Sequence, residues 1–240
     1  MPSSYYTSDV HLRLDQPERA HRFARWVQGL ESDARLTIVG DLCDFWFASR
    51  QHRIQCAECP GLQALADFRL RGGALTILPG NHDSWLGPFY QRTLGVPLSA
   101  EPLMIEEHGL SIRLLHGHRL GGQPIWKGWM ESRAFLTAFR ALPNPLATCF
   151  DRVRVARNEK EKERENARQL QTFETYARAA PKSINLLILA HIHRSYDNSG
   201  LSPRLIIPGG WFGQSAFVRI DASGANLIVE KDSCHSKSTS

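Results

Sequence analysis

Five short motifs rich in aspartate, asparagine and histidine lie between residues 9 and 193. Their carboxylate, amide and imidazole groups bind divalent ions such as Mn²⁺, Fe²⁺ and Zn²⁺, and they also carry protons in general acid–base catalysis. In chain order the motifs are "DVH" at 9–11, "GDLCD" at 40–44, "GNHD" at 80–83, "HGH" at 116–118 and "HIH" at 191–193. Each motif alone is weak evidence, because short patterns often arise by chance, but the set of five predicts a metal-dependent site.

The spacing within the motifs indicates what such a site would do. Asp9 and His11, like His191 and His193, are two residues apart. Alternate residues of a strand point to the same side, so we expect each pair to be able to face one ion. Asp41 has two carboxylate oxygens and could bridge two ions about 3.5–4 Å apart, the separation that suits phosphate chemistry. The motifs therefore predict a dinuclear centre.

The elements that must position these motifs have an α/β pattern. Each motif follows an apolar run that predicts a strand, and the segment at 17–30 has the apolar spacing of a helix. The segment at 61–73 predicts a helix closed by Gly72 and Gly73. The segments "PRLIIPGGW", "SAFVRID" and "ANLIVEKD" predict closing antiparallel strands. Ligands bind at the carboxyl ends of strands in α/β sheets, so the five motifs should converge there.

The composition sets the broad class. The chain has 240 residues, of which 42% are hydrophobic, and we expect a single domain over 1–240. The longest nearly apolar run, at 184–190, is far short of the roughly 20 residues of a membrane span, and the start of the chain lacks a signal-peptide pattern. These features and the odd number of cysteines predict a cytoplasmic protein. The net charge of +5 favours anionic partners.

A second metal site is conceivable around the cysteines. Cys56 and Cys59 form a CxxC motif, and Cys43 and His52 upstream could complete a zinc site. A single CxxC without its second half is weak evidence. The alternative is that these residues are free thiols in a loop.

Residues 121–180 differ from the flanking segments in charge and residue composition. They contain eleven Lys and Arg against seven Asp and Glu, a balance of 11 − 7 = +4. Their pattern predicts a helical insertion in which aromatic and basic residues are interleaved. Ordinary helix packing and a solvated charged face would explain this pattern as well as substrate binding would. The candidate substrate-binding residues are Trp126, Arg133, Arg157, Lys160 and Arg164.

In this order the five motifs resemble those of the calcineurin-like metallophosphoesterases. The resemblance covers residues 9–193 and implies a four-layer α-β-β-α sandwich, the metallo-dependent phosphatase fold, with a helical insertion. It also implies two divalent ions, which would most simply be Mn²⁺, with Fe²⁺ or Zn²⁺ as alternatives. It assigns Asp9, His11 and His193 to one ion, Asn81, His116 and His191 to the other, and Asp41 to both.

The resemblance gives the remaining motif residues other roles. His82 would stabilise or protonate the leaving oxygen, and Asp44 would orient its imidazole. Asp83 is expected to be a cap or a supporting group. His118 could compete with His116 as a ligand, but a supporting role fits better. The ions would activate a water for attack on phosphorus.

Within this family the chain is most similar to the group that hydrolyses UDP-2,3-diacylglucosamine in lipid A synthesis. The shared features are the length, the motif intervals, the helical insertion between "HGH" and "HIH", and the closing "PGGWFGQSAFVRID". The chain departs from that group at His82, where the group has Arg, at Asp44, where it has Glu, and within the "HGH" and "AHIH" motifs. The form with His82 is closer to the wider family.

The resemblance implies an anionic phosphoester substrate, a nucleotide-linked glycolipid, together with peripheral association with an anionic membrane surface. Nucleic acid is not favoured, because the bases of the insertion alternate with acids. Two alternatives stay open. The chain could be a phosphodiesterase or phosphatase for nucleotides or another anionic phosphoester, or a scaffold without catalysis. The scaffold is the weaker alternative, because none of the seven expected ligands is missing.

Overall fold

The computed structural model describes residues 2–13, 16–44, 58–122, 135, 138 and 159–231. In this part of the chain, strands and helices alternate in the first half, and strands predominate in the second half. In order they are β1 (Ser4–Thr7), α1 (Pro17–Gln28), β2 (Arg35–Val39), α2 (Pro60–Leu70), β3 (Ala74–Leu78), α3 (Gly87–Leu94), β4 (Leu103–Glu107), β5 (Leu110–Leu115), α4 (Glu159–Ala179), β6 (Leu186–Leu189), β7 (Tyr196–Asn198), β8 (Arg204–Ile207), β9 (Gln214–Asp221) and β10 (Gly224–Lys231).

The strands form two mixed five-stranded sheets. The first has the order β10-β9-β1-β2-β3, in which β1, β2 and β3 are parallel and β9 and β10 are antiparallel additions. The second has the order β4-β5-β6-β8-β7, with a parallel centre of β5, β6 and β8. The parallel strands of each sheet therefore bring their carboxyl ends to one edge.

The prediction of closing antiparallel strands is confirmed in part for the segment at 204–207. This strand, β8, is antiparallel to β7, but it lies in the second sheet and is parallel to its other neighbour, β6. Leu205, Ile206 and Ile207 are all fully buried. A strand covered on both faces belongs in the parallel centre of a sheet, and its continuous apolar run is typical of that position.

The two sheets pack face to face, and helices cover the outer faces. Tyr5 and Ile38 point outward from the first sheet into a core with α1 and α2, whereas Tyr6 and Val39 point inward to the second sheet. This alternation is the two-residue period of a strand. The inner core adds Leu78, Ile112, Leu114, Leu186, Ile188 and Ile206.

The fourth layer comes from α4. Phe173 and Ala177 of this helix are fully buried against Leu187 and Leu189, which point outward from the second sheet. The order helix, sheet, sheet, helix confirms the predicted four-layer α-β-β-α sandwich. The single-domain prediction for 1–240 and the boundaries 121–180 of the insertion stay predictions.

The ends of α1 and α2 follow from their sequences. Both helices begin with a proline in the first turn, where a missing N–H costs nothing. Ala20, Phe23, Ala24 and Val27 form the buried face of α1. The helix α2 ends before Gly72, whose φ of 106° is open to glycine alone. Among the described helices, none is long and apolar enough to cross a membrane.

Candidate metal centre

The five motifs lie in loops that directly follow five strands. The "DVH", "GDLCD" and "GNHD" motifs follow β1, β2 and β3 of the first sheet. The "HGH" and "HIH" motifs follow β5 and β6 of the second sheet. The side chains of all five meet at the shared edge of the sandwich, and they form two groups of possible metal ligands and a third group beside them.

The first group consists of Asp9, His11 and His193, whose donor atoms all lie within 4.8 Å of one another. The Nε2 atoms of His11 and His193 are 3.2 Å apart. Asp9 Oδ1 is 3.8 Å from His11 Nε2 and 3.7 Å from His193 Nε2. Neither imidazole lies within hydrogen-bond distance of Asp9 Oδ1, so the three groups surround a space suited to a cation.

The second group consists of Asp41, His116 and His191, again with donors within 4.8 Å. Asn81 joins it, because its Oδ1 lies 3.1 Å from His116 Nε2. Asp41 Oδ2 is 3.4 Å from His116 Nε2 and 3.7 Å from Nε2 of His11 in the first group. Asp41 therefore stands between the two groups, where a bridging carboxylate would have to be.

The structure brings together all seven residues predicted to bind metal. The way they converge differs from our expectation. Asp9, His11, Asp41 and His191 have φ values of 50°, 49°, 53° and 70°, in the left-handed region that residues other than glycine rarely adopt. Left-handed loop conformations, and not strand alternation, therefore direct these side chains. His191 and His193 belong to different groups, as the resemblance implies and contrary to the expectation from strand spacing.

Two glycines allow the loops to approach closely. A Cβ on Gly80 would lie 2.0 Å from Asp41 Oδ1, and a Cβ on Gly40 would lie 2.4 Å from His116 Nδ1. Neither distance is possible for real atoms, so both positions require glycine. The Gly-Asp and Gly-Asn pairs of the motifs are thus part of the packing that places Asp41 and Asn81.

The residues present fit a bound cation. Asp9 Oδ1 is buried and accepts no hydrogen bond within the described part of the chain, which is costly unless a cation lies there. Burial lowers the pKa of His11, His191 and His193 and so keeps them neutral, the form that binds metals. Burial also raises the pKa of Asp9.

Asp41 and His116 form an ion pair at the centre of the site. Burial alone would raise the pKa of Asp41, but the nearby His116 and His82 imidazoles hold it well below its usual range. Burial alone would lower the pKa of His116, but the Asp41 carboxylate raises it to about 10. His116 Nδ1 donates to the Val39 carbonyl at 2.9 Å, which leaves Nε2 for a metal.

His82 and Asp44 form the predicted pair beside the first group. His82 Nδ1 lies 2.8 Å from Asp44 Oδ1, and His11 completes a cluster with them. The His82 backbone N–H donates to Asp41 Oδ1 at 2.8 Å. Arg13 donates to Asp44 Oδ2 at 3.0 Å. The imidazole is therefore held beside the predicted metal centre, where a leaving group could meet it.

Asp83 supports the loops and contributes to neither metal group. Its carboxylate is fully buried and accepts hydrogen bonds from the backbone N–H groups of Leu42 and Gly80 and from the Tyr90 hydroxyl, each at 2.8 Å. Burial and the Asp41 charge raise the pKa of Asp83 to about 6. This residue ties the "GDLCD" and "GNHD" loops together, in agreement with the supporting role expected for it.

His118 lies outside both groups in the structure. Its ring centre is 5.3 Å from that of His116 and 6.2 Å from that of His191. Burial and the neighbouring His116 lower the pKa of His118 to about 3, so the ring is neutral. The loop that carries it is supported by Gln169 of α4, whose Nε2 donates to the Gly117 and Leu120 carbonyls.

The loop after β8 contributes residues to the site that the five motifs did not predict. Trp211 is fully buried, and its indole donates to Thr7 Oγ1 at 2.8 Å while its backbone N–H donates to the Asp9 carbonyl. The next residue, Phe212, is exposed and lies with its ring centre 4.6 Å from that of His193. The sequence feature that could have indicated this loop is the pair of aromatic residues among the glycines of "PGGWFG".

The described part of the chain contains some of the predicted substrate-binding and zinc-site residues and not others. Trp126, Arg133 and Arg157 lie outside the described residues, as do His52 and Cys56 of the zinc hypothesis. Lys160 belongs to α4, but its side chain is not described, and Arg164 is exposed on that helix. The buried free thiols of Cys43 and Cys59 belong to the core between α1, α2 and the first sheet.

The fold and the paired groups define a metal-dependent phosphoesterase. The family model described as calcineurin-like phosphoesterase matches residues 5–195, and the chain belongs to this family. The match spans all five motifs, and membership implies that the site binds divalent metal and acts on a phosphoester. The choice of individual ligands stays a prediction that the geometry supports.

The similar proteins agree with this class. The chain is 29% identical over 250 residues to the UDP-2,3-diacylglucosamine hydrolase of Stenotrophomonas maltophilia (strain K279a), which covers 94% of this chain and 97% of that protein. It is 28% identical to the protein of the same name from Aeromonas salmonicida (strain A449), over 89% and 88%. A hypothetical protein from Pyrococcus horikoshii OT3 shares the fold, with a TM-score of 0.51, 10% identity and coverage of 96% and 88%.

Proposed function

We propose that this chain cleaves UDP-2,3-diacylglucosamine to 2,3-diacylglucosamine 1-phosphate and UMP, with two divalent ions that we infer to be Mn²⁺. The observation that carries the proposal is the similarity, over nearly the whole length of both chains, to hydrolases named for this substrate. The two groups of His and Asp donors support it, because they could hold the metal pair that such a hydrolysis needs.

The predicted ligands form two sets, one for each ion, with one shared residue. Asp9, His11 and His193 would hold one ion, Asn81, His116 and His191 the other, and Asp41 would link them. When bound, the ion pair supplies Lewis-acid polarisation of a phosphoryl oxygen and a water that is nucleophilic near neutral pH.

His82 would serve the leaving group. With Nδ1 committed to Asp44, its Nε2 is the ring nitrogen left to donate to the departing oxygen, where negative charge develops. Asp44 holds the imidazole in that orientation. Among the described residues, the exposed side chains of His193 and Phe212 mark the side from which a substrate would enter.

A substrate panel with added Mn²⁺ tests the proposal. Diacylated UDP-glucosamine should be cleaved far faster than bis-p-nitrophenyl phosphate or a cyclic nucleotide, with release of UMP followed by mass spectrometry. Protein stripped of metal is the control. Equal rates on all three substrates would contradict the lipid proposal without affecting the assignment to the phosphoesterases.

A second candidate is a phosphodiesterase or phosphatase that acts on nucleotides or another anionic phosphoester. The hydrogen-bonded His82–Asp44 pair favours it, because a proton donor is of greatest use when the leaving group is a basic alkoxide. The phosphate leaving group of a UDP-sugar is a weaker base than an alkoxide, so its departure depends less on a proton donor. A higher kcat/KM for an alkyl phosphodiester than for the UDP-lipid would favour this candidate.

We also propose that the protein works in the cytoplasm at the membrane surface. The support is the charge of the insertion and the exposed Arg164 on α4, which suit an anionic headgroup layer. Sedimentation with vesicles of phosphatidylglycerol, compared with vesicles of phosphatidylcholine, measures this association. Equal recovery in the supernatant with both vesicles would contradict it.

A further inference from the structure

Arg13 lies at the rim of the site and has no place among the predicted functional residues. It follows the "DVH" motif by two residues, in the loop after β1. Its Nη1 donates to Asp44 Oδ2 at 3.0 Å, and its side chain is only 11% exposed while that of Asp44 is 12% exposed. A partly buried arginine–carboxylate pair is stronger and more directional than a surface pair.

Asp44 is held on both of its oxygens. Oδ2 accepts from Arg13, and Oδ1 lies 2.8 Å from His82 Nδ1. A carboxylate with one partner can rotate about its last bond, whereas one held at both oxygens has a fixed plane. The direction of the His82 ring therefore depends on Arg13 through a single shared group.

The main chain builds this arrangement. The Leu12 N–H donates to the Leu42 carbonyl at 2.9 Å, and the Asp44 N–H donates to the Leu12 carbonyl at 3.1 Å. These bonds clamp the loop after β1 to the loop after β2, so Arg13 and Asp44 start from neighbouring backbone positions. The other side of His82 is fixed by its backbone N–H on Asp41 Oδ1 and by its carbonyl, which accepts from the Trp85 indole.

We propose that Arg13 is a positioning residue that locks the Asp44–His82 pair for donation to the leaving oxygen. This inference rests on the proposed role of His82 in phosphoester hydrolysis, and it is independent of the lipid substrate. The bond from Arg13 ends on Asp44, which is not one of the seven predicted metal ligands. Its removal should therefore weaken the leaving-group step and leave metal binding intact.

The test uses aryl esters of uridine 5′-monophosphate, with leaving groups that range from p-nitrophenol to phenol, and the full chain loaded with Mn²⁺. Arg13→Ala should lower kcat for the phenyl ester by about 10- to 100-fold, the usual cost of losing a group that orients another, and by less than about twofold for the p-nitrophenyl ester. Arg13→Lys should recover most of the loss. Arg13→Ala combined with His82→Ala should be no slower than His82→Ala alone.

Arg204→Ala is the matched control, because it breaks an arginine–aspartate pair with Asp197 at the edge of the second sheet. It should leave the dependence on the leaving group unchanged. The proposal would be overturned if Arg13→Ala lowered kcat by the same factor for all esters. It would also be overturned if Arg13→Ala weakened Mn²⁺ binding measured by calorimetry. Failure of the wild type to cleave the UDP-lipid would count against the proposed substrate alone, because the aryl series does not contain it.

Discussion

Asn81 is the neutral ligand of the predicted centre, and it offers the cleanest test of the ligand assignment. Asn81→Ala removes an oxygen beside His116 without changing the charge of the site. We expect metal affinity at the second group to fall by at least about 100-fold, because even groups that only support a ligand contribute about 10- to 100-fold.

Metal content after dialysis, measured by mass spectrometry, checks this expectation, and circular dichroism checks the fold. Asn226→Ala, at an exposed position of β10, is the matched control. Retention of two ions per chain in Asn81→Ala would contradict the assignment.

The Asp41–His116 pair predicts how the metal-free protein responds to pH. The folded-state pKa of His116, about 10, lies above its ordinary value of 6.5. The charged His116 therefore stabilises the metal-free fold fully below about pH 6.5 as long as Asp41 stays ionised, and this contribution is lost as pH rises through about 10. At pH 8 the imidazole still carries its proton, and binding of an ion must displace it.

Nitrogen-resolved NMR of the histidine rings measures this directly. In metal-free protein at pH 8, His116 should give an imidazolium signal that disappears on addition of Zn²⁺, a diamagnetic ion. His11, whose pKa burial holds well below the usual range, should be neutral throughout and serves as the internal control. A neutral His116 at pH 8 would contradict the predicted ion pair.

The residue identities of the site were accessible from the sequence, but their geometry was not. The order and types of the motif residues predict a dinuclear centre, and the resemblance to the metallophosphoesterases implies its two ligand groups. The left-handed φ of Asp9 and His191 depends on packing between loops that are distant in sequence. The bond from Arg13 to Asp44 depends on the same packing between loops, so no local sequence pattern could predict it.

At the scale of elements, the positions of the metal-site loops depend on glycine residues as well as on the strands that precede them. Gly80→Ala would force a Cβ to within 2.0 Å of Asp41 Oδ1, so the loop after β3 would have to move. We expect the free energy of unfolding to fall by about 2–3 kcal/mol, the upper range for overpacked sites. Denaturation by urea in the absence of metal measures the change.

Gly29→Ala provides the control, since its Cβ would meet only ordinary contacts at 3.5 Å and 3.6 Å. The free energy of unfolding of Gly29→Ala should stay within about 0.5 kcal/mol of that of the wild type, as is usual for surface substitutions. Equal stability of the two variants would show that the loop after β3 has room that the structure does not display.

The strands and helices themselves were largely predictable. Apolar spacing indicates α1, the closing Gly-Gly pair indicates the end of α2, and the charge-rich pattern indicates α4. Apolar runs indicate the strands before each motif. The sheet assignment of β8 was not accessible, because a short apolar run is compatible with either sheet until its partners are known. The short strand β7 and the helix α3 carry little pattern of their own, and tertiary contacts decide them.

At the scale of the whole molecule, the insertion should determine which ester is cleaved. Combined replacement Trp126→Ala, Arg133→Ala and Arg157→Ala is expected to raise KM for the UDP-lipid by about tenfold or more, since aromatic and arginine anchors dominate binding energy. The same variant should cleave the p-nitrophenyl ester of UMP at the wild-type rate, because the metal loops are unchanged. Initial rates on the two substrates measure the difference.

Arg25→Ala, at an exposed position of α1, controls for loss of positive charge. A parallel loss on both substrates would assign the insertion a role in stability. An unchanged KM for the lipid would remove these three residues from the binding surface.

Each ligand group draws on both sheets, because His193 of the second sheet joins Asp9 and His11 of the first, and Asp41 and Asn81 of the first join His116 and His191 of the second. Two ions would consequently act as inorganic cross-links across the interface between the sheets. Metal loading should raise the unfolding temperature by mass action, and it should slow amide hydrogen exchange at the carboxyl ends of β1 and β6 together. The centre that would break a phosphoester bond would thus also fasten the two halves of the sandwich to each other.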